Sequence, residues 1–284
     1  MMELEDNFGD VIGKAQRGLG MSDSELAKRS GANADTIRKV RDGQFEEGTL
    51  RAIAPALNLD AGTLVDLAQG KYQPAPLENL DGLAQFTTSY NGMLVNAYLV
   101  WDPDSKRAVA FDTGAECDSM LKLATKESLT IKTILLTHAH PDHVADLPRL
   151  REETGAQVFA PAREPVPGAD KIDEGQHFRL GKSASRTDSS RGELDIEARL
   201  TWGHSPGGIT FVCTGLARPI AIVGDSMFAG SMGGGSVSYK DAVQNNLEKI
   251  LTLPDETIIC PGHGPMTTVG EEKRHNPFFA HRVR

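Results

Sequence analysis

Apolar positions change their spacing along this chain near residue 71. Over the first quarter they recur three and four residues apart, the period of one helix face. Ser22 and Glu25 form a capping-box pattern ahead of Leu26 and Ala27, and Gly31 is expected to stop that helix. A second short helix is predicted from Asn33 to Arg41, with Ile37 and Val40 inward and a stop at Gly43. Thr49 is predicted to cap a third, with Leu50, Ile53, Ala54 and Leu57 on one face, and Asp60 to open a fourth through Leu64 and Leu67. Lys71 to Leu77, with two prolines around one alanine, has the composition of a linker.

Beyond it the apolar runs are short and β-branched. Strands are predicted at Phe86–Tyr90, Met93–Trp101, Ala108–Phe111, Ile131–Leu136, Gln157–Phe159, Leu194–Leu200, Ile220–Gly224 and Ile258–Pro261. Asp104-Ser105 is predicted as a hairpin turn, Asp118–Thr125 as a helix, and residues 181–192 as an exposed loop. The expected organisation is a small all-α domain over 1–70, a linker over 71–77 and a layered α/β domain over 78–284.

At 284 residues, 39% apolar and 24% charged, the chain has ample material for a buried core. No apolar run reaches membrane-spanning length, so no membrane partner is expected. The acidic start, Met1 to Asp6, lacks the layout of a signal peptide, and the cytoplasm is the expected location. Three cysteines, far apart and without a CxxC, argue against a disulfide framework or a zinc knuckle. The net charge of −9 gives no overall pull towards nucleic acid. Residues 1–70 carry eight Lys or Arg against twelve Asp or Glu.

Concentrated chemistry sits at one turn. Thr137-His138-Ala139-His140-Pro141-Asp142-His143 follows the apolar run Ile131–Leu136 and places three imidazoles and a carboxylate within six residues. Imidazole and carboxylate suit zinc, iron or manganese, and a metal satisfies many polar groups at once. Pro141 is expected to keep the turn from continuing as a regular helix. Three later strands end in the same way, with His204 in Gly203–Gly208, Asp225 after Gly224, and His263 between Gly262 and Gly264. Asp112, at another strand end, is a candidate to orient one of the imidazoles, an ordinary turn residue being the alternative. No serine nucleophile in a Gly-x-Ser-x-Gly elbow is expected, and no cysteine adjoins the histidine cluster.

The order His-x-His-x-Asp-His, His, Asp, His resembles the signature of the metallo-β-lactamase superfamily. Gly224–Ser231, Pro261–Pro265 with Thr267-Thr268, and Gly270–Phe278 look like its glyoxalase II branch. The resemblance implies an αββα sandwich with the metal site along one edge. It implies that His138, His140 and His204 bind one divalent ion, that Asp142, His143 and His263 bind a second, and that Asp225 bridges them. Zinc is the first expectation, iron or manganese the alternatives, with the two ions about 3.5 Å apart as in other two-metal sites. The implied activity is hydrolysis of a thioester or other small acyl ester or lactone by a water held between the ions, with Asp142 also available as a proton acceptor. Ser231–Ser238 stands where that branch has a Gly-Arg-x-Asp stretch, and no C-terminal glutathione-holding helical domain is recognisable, so a small substrate is expected.

Ser22–Gly43 resembles the helix-turn-helix of phage-repressor-like domains of the Cro/CI type. That resemblance implies Arg38, Lys39 and Arg41 near DNA and a homodimer; a docking or dimerisation module is the other reading. Two further activities stay open. One is an iron-dependent persulfide dioxygenase with a single iron on His138, His204 and Asp225. The other is a transcription regulator whose second domain senses a metabolite.

Overall fold

The computed structural model describes residues 2–77, 80–180 and 193–283. Five helices come first: α1 (Phe8–Gly18), α2 (Asp23–Ser30), α3 (Ala34–Arg41), α4 (Glu47–Ala56) and α5 (Ala61–Ala68). Ser22 caps α2 by accepting from the Glu25 amide at 3.2 Å, and Gly31 ends it in the left-handed conformation, as the sequence predicts. Two expectations need correction. The sequence pattern started at Ser22, yet α1 precedes it, opened by an Asn7–Asp10 capping box that carries Asp where Glu or Gln is usual. The predicted cap Thr49 lies inside α4; the cap is Glu46, whose carboxylate accepts from the Gly48 and Thr49 amides at 3.1 and 2.6 Å.

Residues 71–77 form neither helix nor strand, as expected. Tyr72 is nonetheless buried, and its hydroxyl donates to Glu272 at 2.7 Å. Two six-stranded sheets follow. The first runs in spatial and chain order, β1 (Leu83–Tyr90), β2 (Met93–Trp101), β3 (Arg107–Phe111), β4 (Thr130–Leu135), β5 (Gln157–Pro161) and β6 (Asp170–Ile172). It is antiparallel up to β3 and parallel from there on. The second contains β7 (His177–Leu180), β8 (Leu194–Leu200), β9 (Ile209–Thr214), β10 (Ile220–Gly224), β11 (Ile258–Pro261) and β12 (Thr267–Thr268), again in order. Strand β9 contains Cys213, which the sequence places in an apolar, strand-like run without giving it bounds. The predicted loop at 181–192 lies outside the described residues.

Strand alternation decides which layer each side chain enters. Tyr98 and Val100 of β2, Phe111 of β3 and Leu135 of β4 point between the sheets, where they meet Ile196, Phe211, Ile222 and Cys260. Their neighbours Leu99, Ala110, Ile134 and Leu136 face the outer layer formed by α6 (Asp118–Lys126) and α8 (Leu147–Thr154), the short α7 (Pro141–Val144) lying between these two in sequence. On the far face, Val212, Ala221, Val223 and Ile259 pack under α9 (Tyr239–Asn245) and α10 (Val269–His275). The fold is thus a mixed α/β sandwich, helices outside two sheets, the architecture that the resemblance implies. The same apolar cluster runs on without a break into Ile12, Leu26, Ile37, Leu50, Ile53 and Leu64 of the first five helices. Among the described residues, no helix is long and apolar enough to cross a membrane.

The direction of the strands positions the chemistry. Strands β3 and β4 run parallel, as do β10 and β11, and β8 shares the direction of β10 because both are antiparallel to β9. The residues following all five therefore emerge at one edge of the sandwich.

Candidate metal centre

His138 and His140 follow β4 directly. Pro141 then opens α7 rather than preventing a helix: it occupies the first position, where its missing N–H is no loss, and brings Asp142 and His143 round in one turn. His204 follows β8, Asp225 follows β10 and His263 follows β11. All seven predicted residues converge. His138, His140, His204 and Asp225 form one group, and Asp142, His143 and His263 another, with the potential ligand atoms of each group within 4.8 Å of one another.

The inner atoms lie 3.0–3.5 Å apart, distances that ligands of one ion share with hydrogen bonds. His140 Nδ1 lies 3.0 Å from His138 Nε2 and 3.2 Å from His204 Nε2. Asp225 Oδ2 is 3.3 Å from His204 Nε2 and 3.5 Å from His263 Nε2, and Asp142 Oδ2 is 3.3 Å from His263 Nε2. Ligands about 2.0–2.1 Å from a tetrahedral zinc are about 3.3–3.4 Å apart. His143 Nε2 and Asp225 Oδ1 are buried without hydrogen-bond partners, 3.3 Å from each other in poor geometry for such a bond. Orphaned buried donors and acceptors of this kind are what a bound cation satisfies.

The outer nitrogens are held. Asp112 accepts from the Thr137 amide at 2.8 Å and the Thr137 hydroxyl at 2.7 Å, and its Oδ2 is 2.8 Å from His143 Nδ1. It is therefore an orienting residue and not an ordinary turn residue. Thr137 Oγ1 is 3.0 Å from His138 Nδ1. Backbone carbonyls do the same for His204 and His263, Gly234 O for His204 Nδ1 at 2.9 Å and Leu94 O for His263 Nδ1 at 2.6 Å. Gly262 is required here because a side-chain carbon on it would lie 2.2 Å from Asp225 Oδ1.

Burial drives the His138 pKa well below that of a free imidazole, with His143 adding to the effect, and it lowers His140 in the same way. Both are thus neutral, as ligands must be. Burial opposes ionisation of Asp225, but His143 and its neighbours hold its pKa well below the carboxylate range. Burial also works against charge on His143 and His263. The carboxylates overcome it, Asp225 and Asp112 raising His143 to about 10, and Asp142 and Asp225 raising His263 to about 11. Three acids at this edge demand positive charge, from protons or from cations.

Several positioning groups carry no local sequence signal. Glu164, from the segment between β5 and β6, accepts from the Ala139 amide at 3.0 Å and the Gly207 amide at 2.6 Å, clamping the His138–His140 turn to the His204 loop. Asn96 Nδ2 donates to Pro261 O at 3.0 Å and Gly264 O at 2.8 Å, and Tyr98 donates to Pro261 O at 2.7 Å, fixing the turn that carries His263. No nucleophile elbow is expected, yet Gly203-His204-Ser205-Pro206-Gly207 does spell Gly-x-Ser-x-Gly. Ser205 is buried, its hydroxyl has no hydrogen-bond partner, and a strand rather than a helix follows, so it is no nucleophile elbow.

Residues 90–263, which span every one of these seven side chains, match the profile of the Metallo-beta-lactamase superfamily. The chain belongs to that superfamily. The hydroxyacylglutathione hydrolase GloC of Haemophilus influenzae is 31% identical over 198 residues, covering 65% of this chain and 92% of the relative. ETHE1 from Myxococcus xanthus superposes with a TM-score of 0.58 at 25% identity, over 70% of this chain and 85% of that one. TTHA1623, solved in a di-iron-bound form, gives 0.51 at 30% identity, over 68% of this chain and 100% of that one. This is a superfamily member with glyoxalase II-like relatives and His/Asp clusters able to hold divalent metal.

The three basic residues of α3 have a different fate. Arg41 gives its guanidinium to Asp23 at 2.6 Å and to Gln16 at 2.7 Å. Arg38 is half-exposed and paired with Asp35, while Lys39 is exposed.

Proposed function

We propose that this chain is a dinuclear metal-dependent hydrolase acting on a thioester or another small acyl ester or lactone. The observation that carries the reading is Asp225, which lies within 3.9 Å of ring nitrogens from four histidines drawn from both groups. His138, His140 and His204 would hold one ion and Asp142, His143 and His263 the other, with Asp225 shared. Zinc fits this donor set first, and iron and manganese fit it too. Such ions lower the pKa of a bound water towards neutrality and polarise a carbonyl.

The protein's own part is placement. Asp112, Thr137, Gly234 O and Leu94 O hold the rings in fixed orientation, so the inner nitrogens need no rearrangement. Asp142 stays ionised: burial works against this, but His263 and His143 hold its pKa below the usual range. Its side chain is 12% exposed, which leaves it able to accept a proton from an attacking water. The GloC relative supports a thioester, and since this chain covers 92% of it, a separate glutathione-holding domain is no precondition for that name. Metal analysis of purified protein together with chelator-sensitive turnover of thioesters and lactones tests the reading. Two ions per chain are expected. One iron, no second ion and full activity would establish the dioxygenase instead. Contact with DNA through Arg38 and Lys39 is a second reading for α3, favoured only by their exposure.

A further inference from the structure

Beside His263 the surface opens into a groove of about 530 Å³. One wall is the leading segment of the chain, with Met2, Leu4 and Glu5; the other is the β1–β2 hairpin, with Met93 and Leu94; Gly264 lies between them. Both walls are held. Asp6 is buried, paired with Lys14, and accepts from the Ser231 hydroxyl at 2.5 Å. Lys14 also donates to Met232 O at 2.9 Å and lies 4.9 Å above the Phe228 ring, which meets His263 edge-on at 5.7 Å. The Glu5 backbone rests on Gly264, where a side-chain carbon would come within 3.1 Å of Glu5 N. On the hairpin, Asn91 and Gly92 both adopt positive φ and make a tight turn, and the Leu94 carbonyl binds His263 Nδ1.

Met93 and Leu94 are 53% and 50% exposed, two of the few large apolar side chains left in water. Apolar side chains kept at the surface on a fixed hairpin, next to a metal-competent cluster, mark a binding surface. The opposite wall contributes two carboxylates, Glu3 and Glu5, and no base.

We propose that this groove is the acyl subsite, that it takes an apolar, uncharged acyl chain lying against Met93 and Leu94, and that Glu3 and Glu5 reject acyl groups with an anion at their far end. The assignment of the bound group as acyl rests on the hydrolase reading, but the subsite can be tested by binding alone. The probes are octanamide and a chain of the same length ending in a sulfonate, titrated into the full-length, metal-loaded protein with ¹³C-methyl methionine. Octanamide is expected to shift the methyl signals of Met2 and Met93, and the sulfonate probe to bind about tenfold more weakly, the effect of one poorly screened like charge. Glu5→Gln should narrow that gap to less than about threefold, and Leu94→Asp, at an exposed position, should weaken octanamide by about tenfold. Saturation with octanamide that leaves the Met2 and Met93 signals unmoved, or equal binding of the two probes by the wild type, would overturn the proposal. Failure of the hydrolase reading shows separately, as thioester turnover that is absent or insensitive to chelator.

Discussion

The imidazoles at the sheet edge turn their inner nitrogens towards one another, whereas the guanidinium groups of α3 are taken up by the acids Asp23 and Asp35. At the edge, outer nitrogens are held by Asp112, Thr137 and two backbone carbonyls, and the inner donors are left facing an enclosed point. On α3, Arg41 is spent on Asp23 and Gln16, and Arg38 on Asp35. Function-bearing residues are set apart from merely polar ones by what their hydrogen bonds leave unsatisfied. The edge leaves two buried metal-competent atoms, His143 Nε2 and Asp225 Oδ1, without partners, while α3 leaves the exposed Lys39 with no ion pair among the described residues.

The strongest way to break this contrast is to remove the shared carboxylate. Asp225→Asn is expected to lower kcat/KM about 10³-fold or more and to reduce bound metal below two ions per chain, measured by elemental analysis beside thioester turnover. Full metal occupancy in the variant would remove Asp225 from the centre.

Outside both regions, Glu272 ties the segment carrying Tyr72 to the turn at Gly230, accepting from Tyr72, Thr267, Asn276 and the Gly230 amide. Burial raises its pKa from 4.5 to about 7 in spite of those four donors. A carboxyl whose pKa is raised by folding contributes stability that is fully present below pH 4.5 and is lost as pH rises through 7. The folded state binds the proton more tightly across that window. Urea unfolding from pH 4.5 to 8 should therefore show the wild type losing about 3 kcal/mol relative to Glu272→Gln. Parallel pH profiles for the two proteins would show that the site does not titrate in this range.

Glu164→Gln replaces one acceptor oxygen with an amine facing a backbone N–H. It should loosen the ion held by His138, His140 and His204 roughly 10–100-fold while sparing the other. Competition with a graded chelator should then separate the two release steps more widely than in the wild type, and an unchanged separation would exclude the clamp.

The smallest effects belong to α3. Arg41→Ala should destabilise the protein by about 1 kcal/mol, since its part-exposed pair is screened, and Arg38→Ala by less than about 0.5 kcal/mol. If Arg38 meets phosphate, a gel shift should show Arg38→Ala reducing the salt dependence of DNA binding by about one ion. No binding by the wild type at low salt would leave α3 with a structural role alone.

All seven metal-competent residues were legible because each signal is local. A strand ending in His or Asp shows itself within a few residues, three of the four endings have glycine beside them, and the family resemblance implies a common edge. Helices α2, α3 and α5 were legible for the same reason, since cap and apolar stripe lie within one or two turns. Helix α1 escaped because its capping box uses Asp10, and α4 was entered three residues late because a Glu at the cap is uncommon.

What only the tertiary structure decided are the groups that hold those ligands and the surfaces that meet beside them. Asp112 reaches His143 across 31 positions, Glu164 reaches Gly207 across 43, and Leu94 reaches His263 across 169. Four of the five histidines have the outer nitrogen held, two of them by backbone carbonyls, which every residue carries and no sequence pattern announces. The sequence by itself determined which side chains carry the chemistry, because side-chain type and strand-end position are properties of short stretches. Which nitrogen faces inward, whether an arginine is free, and that Glu5 lies beside His263 depend on contacts between distant segments, and those exist only once the layers have packed.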